Sequence, residues 1–183
     1  MILITGGSGS GKSAYGESRL MAEKTEQKFY VATMEVYGEE GRRKVERHRK
    51  MRAGKGFVTI ERSRELGGLR IPEHGKNAVL LECVSNLAAN AMFSGKNMMK
   101  DSGKLAGMLF EDILSLDRQA DFLAVITNEV GADGEVYAWE TMEYIRLMGR
   151  LNSLLAEKAS QVVEVVYAVS YTHLRAHETR GNL

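Results

Sequence analysis

Short, continuously apolar runs alternate along the chain with longer segments in which apolar residues recur at helical spacing. The runs predict strands over residues 1–5, 28–34, 57–61, 78–83, 122–127 and 161–168, and the longer segments predict helices near 13–24, 38–52, 85–93, 104–119 and 138–159. Several runs, such as Ala78-Val79-Leu80-Leu81, carry no polar alternation, as expected of parallel strands covered on both faces. Strand and helix in alternation make a doubly wound, mostly parallel α/β sheet in a single domain over 1–169. No repeat or low-complexity tract interrupts it. The stretch 94–103, with Gly95 and Gly103 among polar neighbours, reads as the mobile connection.

The pattern stops at Ser170. Residues 170–183 have no apolar period and are expected to be an unstructured tail, of the kind that read-through at a cloning junction produces. His173 and His177 stand at i, i+4 within it, but zinc needs a third protein ligand and none is in view.

Charge and composition exclude more than they assign. With 25 Lys+Arg against 24 Asp+Glu the net charge is +1, so no global field draws nucleic acid or an anionic membrane, and any basic site is local. The one cysteine, Cys83, forms no intramolecular disulfide, which suits a reducing compartment. No apolar run approaches the ~20 residues of a membrane span, and the short run at the start lacks the basic leader of a signal peptide. The expected location is the cytoplasm.

Chemistry enters immediately after the first strand. Gly6-Gly7-Ser8-Gly9-Ser10-Gly11-Lys12-Ser13 is a complete G-x-x-x-x-G-K-[ST] phosphate-binding loop between an apolar run and a helix-like stretch. The glycines let successive backbone N–H groups turn toward phosphates, Lys12 reaches the β- and γ-phosphates, and the Ser13 hydroxyl can ligate Mg²⁺. ATP or GTP is therefore the expected substrate class.

A second signal is the basic stretch Arg42 to Arg52, seven cations among eleven residues around His48. On a helix Lys44 and Arg52 sit one turn below and above His48, and their charge disfavours the imidazolium, leaving a neutral nucleophilic nitrogen beside a polyphosphate-binding surface. Charge alone fits a solvated basic helix or a nucleic-acid patch equally well, although no aromatic interleaving or known binding module supports nucleic acid. A third signal is acids at the carboxyl ends of strands, where ligands of parallel sheets gather: Glu61, Glu82, and Glu129 within Thr127-Asn128-Glu129-Val130-Gly131. They suggest one polar rim, with Glu82 able to reach Mg²⁺ or ribose hydroxyls.

In this order the phosphate loop, Tyr30-Val31-Ala32-Thr33, Val45-Glu46-Arg47-His48-Arg49, Leu80-Leu81-Glu82-Cys83, Asn128-Glu129-Val130-Gly131 and Gly149-Arg150-Leu151-Asn152 resemble the bifunctional adenosylcobinamide kinase / adenosylcobinamide-phosphate guanylyltransferases. The resemblance spans nearly all of 1–168. It implies phosphorylation of adenosylcobinamide by a nucleoside triphosphate, then transfer of GMP from GTP to adenosylcobinamide phosphate through a guanylylated histidine, within cobalamin biosynthesis. It makes His48 the GMP carrier and adds Ala32, Thr33, Met34, Arg49, Lys50, Met51, Arg52, Glu61 and Glu82 to the loop as nucleotide contacts. It also implies a P-loop NTPase fold resembling the recombinase core, assembled as a homotrimer. The chain departs from the family pattern at Ala132 to Tyr137, where many members carry Gly-Ile-Val-Pro-Glu, and in the tail from Ser170. Two alternatives stay open on the residues alone: a monofunctional P-loop kinase for another small alcohol, which has no use for His48, and a nucleotide-dependent binding switch.

Overall fold

The structure, a computed structural model, describes residues 1–36, 38–72, 75–93, 101–131, 137–167 and 169–173. Strand β1 (Ile2–Thr5) leads into helix α1 (Lys12–Ala22), then β2 (Gln27–Ala32), α2 (Gly38–Arg52), β3 (Phe57–Glu61), β4 (Asn77–Glu82), α3 (Val84–Phe93), α4 (Ser102–Asp117), β5 (Phe122–Ile126), α5 (Trp139–Lys158), β6 (Gln161–Val166) and β7 (Val169–His173). The strands form one sheet in the order β3-β2-β4-β5-β1-β6-β7, and every neighbouring pair is parallel except β6 with β7.

The period-two alternation of the strands divides the core between the two faces of the sheet. Leu3, Val31, Val79, Leu81, Leu123 and Val125 pack with residues of α3, α4 and α5, whereas Ile2, Ile4, Tyr30, Leu80, Ala124 and Ile126 pack with Leu20 of α1. Helix α4 contributes Leu105, Leu109, Ile113 and Leu116, a buried stripe at helical spacing; each such side chain is worth about 1.5–3 kcal/mol of transfer free energy. Helix α2 differs. Among its described side chains only Arg52, in the last turn, is buried.

The predicted elements match these closely, with differences at their ends. The strand expected over 28–34 stops at Ala32, and the one expected over 78–83 stops at Glu82. Of the expected mobile connection 94–103, residues 94–100 lie outside the described residues, while Ser102 and Gly103 already belong to α4, whose N-cap Asp101 accepts from the Lys104 amide at 2.9 Å. The strand expected over 161–168 ends at Val166: Tyr167 takes φ 47°, the left-handed turn conformation, and the chain reverses into β7.

The tail boundary at Ser170 is thus corrected. Ser170 to His173 pair with β6 from Val165↔Ser170 to Val162↔His173. An edge strand takes its order from backbone pairing, which needs no apolar period. Residues 174–183, including His177, lie outside the described residues.

Candidate active site

The phosphate loop leaves β1 through Gly6, at φ 141°, where a Cβ would lie 2.3 Å from the Val165 carbonyl oxygen of β6. Only glycine fits there. At the other end Gly11, φ 99°, delivers the chain into α1. Lys12, the first residue of that helix, is 7% exposed and donates from Nζ to the carbonyls of Gly6 at 2.8 Å and Gly7 at 2.5 Å. Burial pushes its pKa below the ordinary value, opposed mainly by the nearby Cys83 and by the carboxylates of Glu82 and Glu129. The ammonium is therefore partly desolvated at the cavity wall, where its attraction for a phosphate is screened less than in bulk water.

The next side chain makes the second link. Ser13 Oγ donates to Glu82 Oε1 at 2.5 Å, and the Tyr30 hydroxyl donates to Glu82 Oε2 at 2.6 Å. Strand register explains why these residues meet: Ala32 at the end of β2 is flanked by Glu61 of β3 and Glu82 of β4. Two acids thus stand at the carboxyl edge of the sheet, one on either side of Ala32. The Glu61 carboxylate pairs with Arg49 of α2, and the guanidinium of Arg52 lies 3.5 Å from the centroid of the Tyr30 ring.

These groups surround a cavity of about 590 Å³, walled by Ser8, Gly9, Gly11, Lys12 and Ser13 of the loop, by Tyr30, Ala32, Met34, Glu61 and Glu82 at strand ends, and by Val45, Arg49 and Arg52 of α2. That volume lies in the range of small-molecule sites. Cys83, Ser85, Asn86 and Asn128 also line it. Asn128 Nδ2 donates to Ser85 Oγ at 2.5 Å, joining the ends of β5 and α3.

The expected site residues do not all reach this wall. Gly6, Gly7 and Ser10 shape the loop behind it. Thr33 is buried and exchanges hydrogen bonds with the Cys83 backbone, accepting from its N–H and donating to its C=O at 2.7 Å each, so its side chain ties β2 to β4. Lys50 is exposed and pairs with Glu46 one turn back on α2 at 2.9 Å. Glu129 is exposed; its charge reaches Lys12, but it stands outside the cavity, so two of the three expected rim acids line it. His48 and Met51 are residues of α2 whose side chains lie outside the described residues; position 48 is three after Val45 and four before Arg52.

Tyr30, Ser85, Asn86 and Asn128 are wall residues that the motifs did not single out as nucleotide contacts. Tyr30 sits inside an apolar run and reads as core. Ser85 and Asn86 open α3 three and four residues after Glu82, so the strand-end argument that found Glu82 could have been extended to them. Among the described residues no cluster of three or more His, Cys, Asp or Glu side chains could hold a metal by itself, and no helix is long and apolar enough to cross a membrane. The adjacent Ser13 hydroxyl and Glu82 carboxylate are hard oxygen donors suited to Mg²⁺ shared with phosphates.

Comparison with known proteins agrees with this geometry. The sequence profile of the family described as cobinamide kinase / cobinamide phosphate guanyltransferase matches residues 2–172. The bifunctional adenosylcobalamin biosynthesis protein CobU of Escherichia coli K12 is 31% identical over 180 residues, covering 92% of this chain and 97% of the relative. Its Salmonella typhimurium LT2 counterpart is 30% identical over 179 residues with the same coverage. Among solved structures, an ATPase of the type III secretion system of pathogenic bacteria superposes with TM-score 0.54 at 13% identity, covering 89% of this chain and 50% of the other. A protein of Pyrococcus horikoshii OT3 superposes with TM-score 0.52 at 9% identity, covering 97% and 87%. These two bear on the fold alone.

Proposed function

The chain belongs to the cobinamide kinase / cobinamide phosphate guanyltransferase family, and from that premise we propose how its own residues divide the two reactions of this enzyme of cobalamin biosynthesis. The observation that carries the proposal is that the phosphate loop, the Ser13–Glu82 pair and the cationic end of α2 face one cavity.

In the kinase step the side-chain hydroxyl of adenosylcobinamide attacks the γ-phosphorus of a nucleoside triphosphate and the nucleoside diphosphate leaves. Lys12 and the loop amides hold the phosphates in line and stabilise charge on the transferred group, work that is mostly positioning and electrostatics. Ser13 and the adjacent Glu82 would hold Mg²⁺, which would supply neutralising charge at the phosphates when nucleotide is bound.

In the guanylyltransferase step an imidazole nitrogen of His48 attacks the α-phosphorus of GTP and pyrophosphate leaves. A phosphate oxygen of adenosylcobinamide phosphate then attacks the same phosphorus, the P–N bond breaks, and adenosylcobinamide-GDP forms as His48 is restored. Arg49 and Arg52 offer charge to the polyphosphate, and Ala32, Met34, Glu61 and Glu82 offer contacts to the rest of the nucleotide. The same reading places the enzyme in the cytoplasm as a homo-oligomer, a trimer by resemblance, with no nucleic-acid partner.

Incubation with GTP followed by intact mass measurement tests the assignment. The parent protein gains one GMP, the adduct is lost in acid and survives base as a phosphoramidate does, and His48→Ala gains none while still phosphorylating adenosylcobinamide. A His48→Ala protein that still takes up GMP places the nucleophile elsewhere. A parent that never labels but phosphorylates the corrinoid is a kinase alone.

A further inference from the structure

Tyr30 occupies an unusual place for a residue of a central strand. It is 2% exposed, yet its hydroxyl ends on the Glu82 carboxylate inside the cavity wall. Tyr30 is paired with Leu80, and Ala32 with Glu82, so Tyr30 is the diagonal neighbour of Glu82 on the same sheet face. A diagonal of roughly 7–8 Å is beyond most short side chains and within reach of a tyrosine. The two carboxylate oxygens of Glu82 are thereby shared out, Oε2 accepting from Tyr30 and Oε1 from Ser13. A carboxylate held at both oxygens has little freedom to rotate.

The tyrosine is itself held on both sides. Phe57 meets its ring edge-on at 6.4 Å between centroids, and Arg52 covers a face of it at 3.5 Å. Arg52 is buried, and its Nε has no hydrogen-bond partner among the described residues, so the stack on Tyr30 is a principal contact of that group. A guanidinium over the ring also draws electron density from the phenol and makes its O–H a stronger donor. Burial and the neighbouring Glu82 charge favour the protonated phenol, the form that donates to Glu82.

We infer that Tyr30 is a positioning residue for both transfer reactions: its hydroxyl fixes the Glu82 carboxylate against Ser13, and the Arg52 stack fixes the tyrosine in turn. The inference rests on the nucleotide site proposed above. It makes the ring of Tyr30 the physical connection between the end of α2, which carries His48, and the phosphate loop. It also separates two roles within one side chain, because phenylalanine would keep the ring stack and remove only the donor.

The test compares the full-length parent, Tyr30→Phe, Glu82→Ala and the double variant. Affinity for a non-hydrolysable GTP analogue is measured by calorimetry with and without Mg²⁺, and kcat and KM are measured for each transfer. Rates are normalised to the fraction of protein that binds nucleotide, so partial unfolding does not imitate the effect. In Tyr30→Phe, kcat should fall about tenfold in both reactions, while affinity for the analogue without Mg²⁺ stays nearly unchanged. The tightening of nucleotide binding by Mg²⁺ should shrink several-fold. On the Glu82→Ala background Tyr30→Phe should change neither affinity, because a residue acting only through Glu82 has nothing left to position.

Parent-like kcat and Mg²⁺ response in Tyr30→Phe would overturn the inference and leave Tyr30 as packing. Additive effects in the double variant would overturn it too, since Tyr30 would then act independently of Glu82. Lys12→Ala separates these outcomes from failure of the site itself: if that variant binds the analogue as the parent does, the nucleotide site is misplaced, whatever Tyr30 does.

Discussion

Three glycines of the phosphate loop should respond very differently to the same added methyl group. At Gly6 the new Cβ would lie 2.3 Å from the Val165 carbonyl oxygen and 3.2 Å from its carbon, both backbone atoms of β6, with φ at +141°. Ordinary C···O contacts are about 3.3–3.6 Å, so the loop and β6 must part by roughly 1 Å beside the Thr5↔Glu164 pairing. A residue forced into that backbone region costs about 1–3 kcal/mol, and overpacking against an atom that cannot rotate away costs about 1–3 kcal/mol more. The sum of ~2–6 kcal/mol is a large part of the 5–15 kcal/mol typical of a domain. At Gly9 the conformation is again left-handed, φ +73°, but nothing lies within 4 Å of the added carbon, which leaves only a backbone cost of about 1–2 kcal/mol. Gly7 has neither constraint, and Gly7→Ala should stay within ~0.5 kcal/mol of the parent. Equilibrium urea unfolding followed by far-ultraviolet circular dichroism measures the series. With m near 2 kcal/mol/M the midpoint of Gly6→Ala should fall by about 1–3 M. If Gly6→Ala unfolds at the same midpoint as Gly7→Ala, the close approach of the loop to β6 does not exist in solution and the reasoning fails.

Lys12→Ala removes a charge-assisted phosphate contact worth about 1.5–3 kcal/mol, so triphosphate affinity should fall roughly 10- to 150-fold, with both activities depressed; calorimetric titration checks this, and unchanged rates would sink the shared-loop reading. Tyr30 should give the protein an alkaline liability. Its folded pKa is raised above the ordinary 10.0 by burial and by Glu82, so the folded state keeps a proton that the unfolded chain releases; this contribution is complete below pH 10 and is lost as pH rises further. Melting temperature should therefore fall more steeply above pH 10 in the parent than in Tyr30→Phe, and identical slopes would contradict the burial. Stopping the chain after His173 should leave the melting temperature near that of the full chain, whereas stopping after Val169 strips the β6 edge of its partner and should cost about 1–3 kcal/mol. Equal melting temperatures for the two truncations would show that β7 adds no stability.

Much of this molecule was legible from local pattern. Apolar runs such as Ala78 to Leu81 and the helical spacing of Leu105, Leu109, Ile113 and Leu116 report burial on both faces of a sheet and on one face of a helix. Both are properties of neighbouring residues, which sequence displays directly. The phosphate loop is legible as an eight-residue motif, although the close approach of Gly6 to Val165 is set by the neighbouring strand β6. Strand ends belong in part to the same class, since the rule that ligands gather at carboxyl edges pointed to Glu61 and Glu82 without any knowledge of which strands are neighbours.

Tertiary structure decided whatever depends on strand order and on the partner of a given group. Thr33 was expected against nucleotide, but the neighbouring β4 brings the Cys83 backbone to its hydroxyl. Lys50 pairs with Glu46 one turn back on α2. Tyr30 reads as one more apolar position of β2 until the register sets it diagonal to Glu82 and the end of α2 lays Arg52 over its ring. Ser170 to His173 read as tail because an antiparallel edge strand draws its order from the backbone of β6, and backbone hydrogen bonds leave no mark in the side-chain pattern. Periodicity records which side of a segment is buried; it carries no information about what lies across the gap.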